Sequence, residues 1–165
     1  MKRTDIILAA LALATLTGCV CRQGPAACRP PVTQTACVQP AASEAEIAAL
    51  FDRWNLSLQS GDPRKVVANY AERSVLLPTL SGTARLTPAE KEDYFRHFLE
   101  NRPSGAIDLR QITVGPDFAV DTGHYTFTFA KTGAVAKGRY SFTYRRFGAT
   151  WLIVSHHSSL MPQSH

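Results

Sequence analysis

Two adjacent histidines near the end of the chain, His156 and His157, have the side chains best suited to acid–base chemistry. Imidazole titrates near neutral pH, so it can take up or release a proton under ordinary conditions. Neighbouring residues of a strand point to opposite faces, so only one of the two histidines can enter a given pocket. We take His157 as the candidate general base, with Asp121 as a possible carboxylate partner, and expect the other histidine at an interface or in solvent.

The candidate residue for binding an anion is Arg139. Its strand alternates polar with aromatic side chains, so one face is polar and the other aromatic: Arg139, Ser141, Thr143 and Arg145 against Tyr140, Phe142 and Tyr144. A guanidinium binds a carboxylate through two parallel hydrogen bonds. If Arg139 faces a pocket, it selects a small anionic ligand. The alternative is an arginine at the surface or at a subunit interface.

Three aromatic residues with polar tips, Trp54, Tyr94 and Tyr125, are candidates for lining that pocket. An indole N–H or a phenol O–H can bond a ligand while its ring packs against apolar atoms. Each of them also falls on an apolar face at core spacing. Packing without ligand contact is therefore the alternative interpretation.

Helices followed by strands must position these residues. Ser43 with Glu46 forms a capping-box pattern before a run of apolar residues at helical spacing, and Asp62 and Thr87, each followed by proline, begin two further helices. Strand patterns follow over residues 107–114, 118–130, 135–147 and 151–158, after a short one at 74–77. Helices first and a meander of strands afterwards predict an α+β fold.

Composition bounds the remaining possibilities. The 165-residue chain has a net charge of +5, and residues from 44 onward carry 14 basic against 12 acidic side chains, so nothing favours nucleic-acid binding. All four cysteines precede residue 38, which excludes a thiol nucleophile in the folded region. Beside Cys19, the other three predict one disulfide and a spare thiol rather than a metal site. We expect neither a metal nor a cofactor.

The first nineteen residues resemble a bacterial lipoprotein signal. Lys2 and Arg3 precede an apolar run over residues 6–16, which is too short to span a bilayer and ends in Leu-Thr-Gly-Cys19. The resemblance implies a signal peptide at 1–18, a lipidated Cys19 opening a proline-rich tether at 19–42, and a domain at 43–165. It places the domain in the cell envelope, outside the cytoplasm. Val20 favours the outer membrane, facing the periplasm, if the host is Gram-negative.

Two segments near the start of the domain resemble the nuclear-transport-factor-2-like (SnoaL-like) superfamily. One runs from Trp54 to Asp62 and ends in a Gly-Asp pair, and the other begins with the Tyr-Ala pair at Tyr70. The later residues resemble more narrowly the association, or hub, domain of calcium/calmodulin-dependent protein kinase II and its stand-alone bacterial relatives. They are residues 76–80, 93–95, 139–140, 144–146, 151–154 and 156–162. This implies a cone-shaped fold, in which a curved antiparallel sheet wraps about three helices and leaves a pocket. It also implies a homodimer or larger ring, and a cavity that the hub family lines with arginines. We expect no kinase domain, because the sequence has no glycine-rich phosphate loop.

The resemblance leaves three functions open. Ketosteroid isomerase relatives need a carboxylate base where this chain has Leu77, and a donor tyrosine where it has Trp54. The sequence therefore favours a lipid-anchored, self-associating domain that binds a small anion and has no catalytic activity. The alternatives are an isomerase, cyclase or dehydratase using His157, and a structural envelope lipoprotein without a ligand.

Overall fold

A computed structural model describes residues 42–79 and 81–162. The predicted signal peptide, the lipidation of Cys19 and the pairing of the other cysteines lie outside the described residues. The elements confirm the α+β class: α1 (Glu44–Gln59), α2 (Pro63–Val67), β1 (Tyr70–Leu77), α3 (Pro88–Leu99), β2 (Pro103–Val114), β3 (Phe118–Phe129), β4 (Ala134–Phe147) and β5 (Thr150–Leu160).

The helices begin where local hydrogen bonds satisfy their first N–H groups. Ser43 Oγ accepts from the Glu46 N–H at 3.2 Å, and Glu46 returns a bond from the Ser43 N–H at 2.7 Å. Thr87 and Glu90 repeat this capping box at α3, and Asp62 caps α2. The predicted helix starts are confirmed. None of the helices among the described residues is long and apolar enough to cross a membrane.

The sheet has the strand order β1-β5-β4-β3-β2. β2 to β5 pair antiparallel, as predicted, because short turns join consecutive strands. One edge departs from the antiparallel pattern, since β1 runs parallel to β5 and Leu76 pairs with His156. In the chain, α3 and strands β2 to β4 lie between these two strands, so the connection is long enough for parallel pairing.

Helix α1 packs its apolar stripe on one face of this sheet, which we call the inner face. Its five buried side chains meet the inward side chains of β3, β4 and β5 in a single core. The Asn55 side chain fixes the helix to β2 through two 2.8 Å bonds with the Gly105 backbone. Arg53 fixes it to β5 by donating to the Trp151 carbonyl at 2.8 Å. The opposite, outer face of the sheet carries the polar side chains of the same strands.

The register of β2 shifts between Ile107 and Leu109, as at a β-bulge, and Gly123 of β3 pairs with Arg110 next to this shift. A Cβ atom on Gly123 would lie 1.8 Å from the Leu109 carbonyl oxygen, which is backbone and cannot move aside. The bulge therefore requires glycine at this position.

We expect Gly123→Ala to lower the free energy of unfolding by about 1–3 kcal/mol or more, because a methyl group must push β2 away. Urea unfolding followed by circular dichroism measures the change. Gly82→Ala is the matched control, since no atom lies within 4 Å of its added Cβ. Equal unfolding midpoints for the two variants would contradict the required close approach.

Candidate ligand pocket

A pocket of about 400 Å³ opens between the inner face of the sheet and helices α1 and α3. We call seven of its buried lining residues the floor: Trp54, Leu76, Phe95, Tyr125, Phe127, His156 and Ser158. We call four exposed or half-buried lining residues the rim: Arg85, Asp93, His97 and Lys137. Apolar walls with a few polar groups are typical of small-molecule sites.

A chain of hydrogen bonds crosses the floor. The Trp54 Nε1–H donates to the Tyr70 hydroxyl at 3.2 Å, and that hydroxyl lies 2.8 Å from His156 Nδ1. Burial raises the pKa of Tyr70 well above its usual value, so the phenol keeps its proton. His156 Nδ1 is the acceptor that the described residues offer to the Tyr70 hydrogen, so we assign the hydroxyl as donor to Nδ1 and the imidazole hydrogen to Nε2.

His156 is held in its neutral form. Burial, with a smaller contribution from His157, lowers the pKa of His156 from 6.5 to about 3. The Phe142 ring stacks on the imidazole at 4.1 Å between centroids, and the Trp54 ring meets it edge-on at 5.4 Å. Its Nε2 has no hydrogen-bond partner among the described residues. The floor thus contains an uncharged N–H group without an acceptor.

Three hydroxyls form a second polar group in the pocket wall. Ser158 Oγ is hydrogen-bonded to both the Tyr125 phenol and Thr79 Oγ1. Burial raises the pKa of Tyr125, which keeps this phenol protonated as well. Gly138 leaves the space that the ring occupies, because a Cβ there would lie 2.6 Å from a Tyr125 ring carbon.

The rim is predominantly basic. Half-buried Arg85 lies over the Tyr94 ring at 6.0 Å, and its Nε has no hydrogen-bond partner among the described residues. Lys137 and His97 also line the pocket and are exposed. The one rim carboxylate, Asp93, is paired with Arg96 at 2.8 Å. Positive charge therefore dominates the entrance to an apolar interior.

The structure brings three of the predicted site residues together and leaves two outside. Trp54, Tyr94 and Tyr125 line the pocket, although their contact with a ligand stays a prediction. Arg139 and His157 are exposed on the outer face, so their predicted places in a pocket are wrong. For Arg139 the reason is that the aromatic face of β4 forms the core, and the pocket opens on that same side.

For His157 the reason is an irregularity in β5. Tyr144 pairs with Ile153 and Thr143 with Ser155, so Val154 is an extra residue in the ladder. Alternation from the buried Trp151 and Ile153 would otherwise place His157 inside. After the bulge His156 and Ser158 point inward instead, and both were missed, together with Arg85, Lys137 and Thr79. No pattern in the sequence marks this bulge.

Asp121 is buried but has partners other than histidine. It accepts a 2.8 Å hydrogen bond from the Tyr140 phenol and lies 3.3 Å from Arg110 Nε. Burial raises the pKa of this carboxyl, while Tyr140 and Arg110 oppose that shift. The predicted histidine–aspartate pair is therefore wrong. Within the described part of the chain, no group of three or more histidine, cysteine and acidic residues could hold a metal ion.

Comparisons with known proteins identify the family and the fold. The family model of the calcium/calmodulin-dependent protein kinase II association domain matches residues 43–162. A solved structure from Xanthomonas campestris, described as an association domain of this kind, is 42% identical. It matches over 77% of this chain and 98% of its own, with a TM-score of 0.70. No curated protein matched the chain.

More distant structures share the fold alone. A nuclear-transport-factor-2-like protein of unknown function from Pseudomonas putida KT2440 is 18% identical over 70% of this chain and 84% of its own, with a TM-score of 0.62. A ketosteroid isomerase-like protein from Erwinia carotovora atroseptica SCRI1043 is 20% identical over 72% and 96%, with a TM-score of 0.58. The predicted cone-shaped fold is confirmed.

The buried neutral histidine predicts a distinctive pH dependence of stability. The unfolded chain protonates His156 near pH 6.5, whereas the folded chain does so near pH 3, so stability falls as the pH drops through this window. Protonation of this one group in the unfolded chain lowers the free energy of unfolding by about 2 kcal/mol between pH 7 and pH 5. On going from pH 7 to pH 5, wild type should therefore lose about 2 kcal/mol more unfolding free energy than His156→Gln, which has no imidazole to protonate. Urea denaturation at both pH values measures this difference.

Exposed His157 provides the matched control, because His157→Gln keeps the buried imidazole and should keep the wild-type pH difference. If His156→Gln shows the same pH difference as wild type, the imidazole is not held neutral in the folded protein.

Proposed function

The chain belongs to the calcium/calmodulin-dependent protein kinase II association-domain family, and from that premise we propose a lipid-anchored, self-associating envelope protein whose pocket binds a small amphipathic anion. The observation that carries the ligand proposal is the pocket itself, with its buried aromatic floor and basic rim. An apolar body gains free energy on entering the floor, at about 25 cal/mol per Å² of buried surface. The rim then determines which charged group remains at the entrance.

The rim favours a carboxylate. Arg85 has an unpartnered Nε and a half-buried guanidinium, so it offers a charge-assisted hydrogen bond at little desolvation cost. Lys137 adds a second positive charge, while Asp93 is neutralised by Arg96. An anion held at the rim keeps part of its hydration, which a charge carried down to the floor would lose. Arg85 and Lys137 thus take the role first predicted for Arg139.

Three features favour binding over the alternative of an enzyme. His156 has a pKa of about 3, so it takes up almost no proton at neutral pH and is a poor general base. Leu77, at the position of the isomerase base, is 41% exposed and has no proton to exchange. The rim carboxylate Asp93 is exposed and paired with Arg96. A binding function needs none of these groups to react.

Binding at the rim has a direct test in calorimetry with octanoate as the probe. We expect Arg85→Gln to weaken octanoate binding about tenfold, as loss of a charge-assisted hydrogen bond does, and Lys137→Gln to weaken it about two- to fivefold. Arg139→Gln on the outer face is the matched control and should bind like wild type. Unchanged affinity in both rim variants would rule out the anion site, and no binding of any small acid would favour the structural envelope protein.

Self-association is proposed through the outer face of the sheet. This face carries polar, half-buried side chains of β3, β4 and β5, and they include Thr122, His124, Ser141 and Thr143. Such a face can pair with its own copy around a two-fold axis, and family members associate. The pocket on the inner face stays open in an assembly of this kind.

Sedimentation of the detergent-solubilised protein tests the assembly. We expect a dimer or larger species for wild type and a shift towards monomer for Ser141→Glu, since like charges would face each other across the two-fold axis. Ala89→Glu, on the exposed first turn of α3, carries the same charge and should leave the assembly intact. A wild-type monomer would contradict the proposal.

Membrane attachment is proposed through Cys19. Several acyl chains on one residue anchor a protein stably, whereas a single chain binds reversibly. We expect Cys19→Ser to move the protein from the membrane fraction to the soluble fraction of host cells, and to abolish incorporation of radiolabelled palmitate. Cys21→Ser is the control, and it should behave as wild type. Membrane retention of Cys19→Ser without label would point to another mode of attachment.

A further inference from the structure

Two groups in the floor of the pocket can donate hydrogen bonds to a ligand. The hydroxyls of Thr79, Tyr125 and Ser158 bond one another, with Ser158 bonded to both of the others and Thr79 also interacting with Tyr125. The cluster lines the pocket, and a hydroxyl hydrogen can rotate from its neighbour to an acceptor on a ligand.

The second donor is the Nε2–H of His156. Tyr70 holds Nδ1 and thereby keeps the hydrogen on Nε2, which has no partner among the described residues. His156 is 4% exposed and lines the pocket, so water offers little compensation for an unpaired N–H. Leaving such a group unsatisfied costs about 1–3 kcal/mol.

The two donors share one strand and one face. His156 and Ser158 are both inward side chains of β5, two residues apart, and no basic side chain is buried in the floor beside them. The group that completes this floor must therefore accept hydrogen bonds without bringing a charge. An ionised carboxylate here would lose its hydration without a counter-ion.

Among neutral groups, a carbonyl oxygen matches best. It accepts two hydrogen bonds and brings no hydrogen of its own, whereas a hydroxyl adds a further donor to a site that already has an unpaired N–H. We propose that the floor binds the carbonyl oxygen of the ligand through His156 and the Tyr125–Ser158–Thr79 hydroxyls, so that the ligand is an apolar oxo acid with its carboxylate at the rim. The carboxylate end rests on the proposed function; the carbonyl end does not.

Calorimetry with four matched probe series tests the floor separately from the rim. The probes are methyl-ketone oxo acids from hexanoate to decanoate, the parent fatty acids, the corresponding dicarboxylates and the corresponding methyl ketones without a carboxylate. We expect the best oxo acid to bind wild type about five- to tenfold more tightly than its parent acid. The dicarboxylate should bind more weakly than either.

Two substitutions assign the preference to His156. His156→Phe keeps a flat ring against Phe142 but removes the N–H, so the oxo acid and its parent should bind equally. His156→Gln keeps an amide N–H and should retain part of the preference. His157→Phe, on the outer face of the same strand, should retain all of it, and thermal melting verifies that each variant is folded.

The outcomes separate the two proposals. Equal binding of oxo acid and parent acid to wild type would overturn the carbonyl site while leaving the anion site standing. If methyl ketones bind as tightly as oxo acids, the rim proposal fails and the carbonyl site stands. Should no acid bind, the methyl ketones still decide, since their failure to bind wild type more tightly than His156→Phe would overturn the carbonyl site.

Discussion

The structure depends on one buried chain of hydrogen bonds, from Trp54 through Tyr70 to His156. Its three members come from α1, β1 and β5, which are the helix packed on the sheet and the two strands that pair in parallel. Each polar group in it is buried, so breaking any one bond costs about 1–3 kcal/mol. The same chain fixes which nitrogen of His156 carries hydrogen. Folding energy and the chemistry of the pocket floor are therefore set by the same contacts.

The two faces of the sheet have different roles. The inner face holds the core and the pocket, with the floor polar groups on β3 and β5 and the rim on α3, the loop before it and the start of β4. The outer face remains available for a second copy of the chain. In the proposed arrangement, an assembly held by several Cys19 anchors would present several pockets near one membrane. A ligand with an apolar body and a charged end suits a protein held close to lipid.

The fold followed from local patterns, because capping residues, apolar spacing and turn residues act within a few positions of each other. Ser43 with Glu46 and Thr87 with Glu90 placed both long helices correctly. The pocket residues on β5 could not be found in this way. One extra residue at Val154 reverses the face of every later side chain, and only pairing with β4 reveals it. Which of His156 and His157 faces the pocket therefore depends on how β5 pairs with β4, and the local sequence does not determine it.

Arg139 illustrates a second limit. Its alternation with aromatic residues was correct, but the polar face of a strand in a cone points away from the helices. Arg85 and Lys137 are brought to the rim by the loop before α3 and the start of β4, and no periodic pattern links them. Charges that come from a loop and a strand far apart in the chain are brought to one rim only by the folded structure.

The most direct test of this account is nitrogen-15 NMR of the His156 ring at neutral pH. The account predicts a neutral imidazole with a pyrrole-type, protonated Nε2 and a pyridine-type Nδ1, unchanged on lowering the pH to about 5. A protonated Nδ1, or an imidazolium that titrates near pH 6.5, would contradict it, because Tyr70 could not then be donating to this ring.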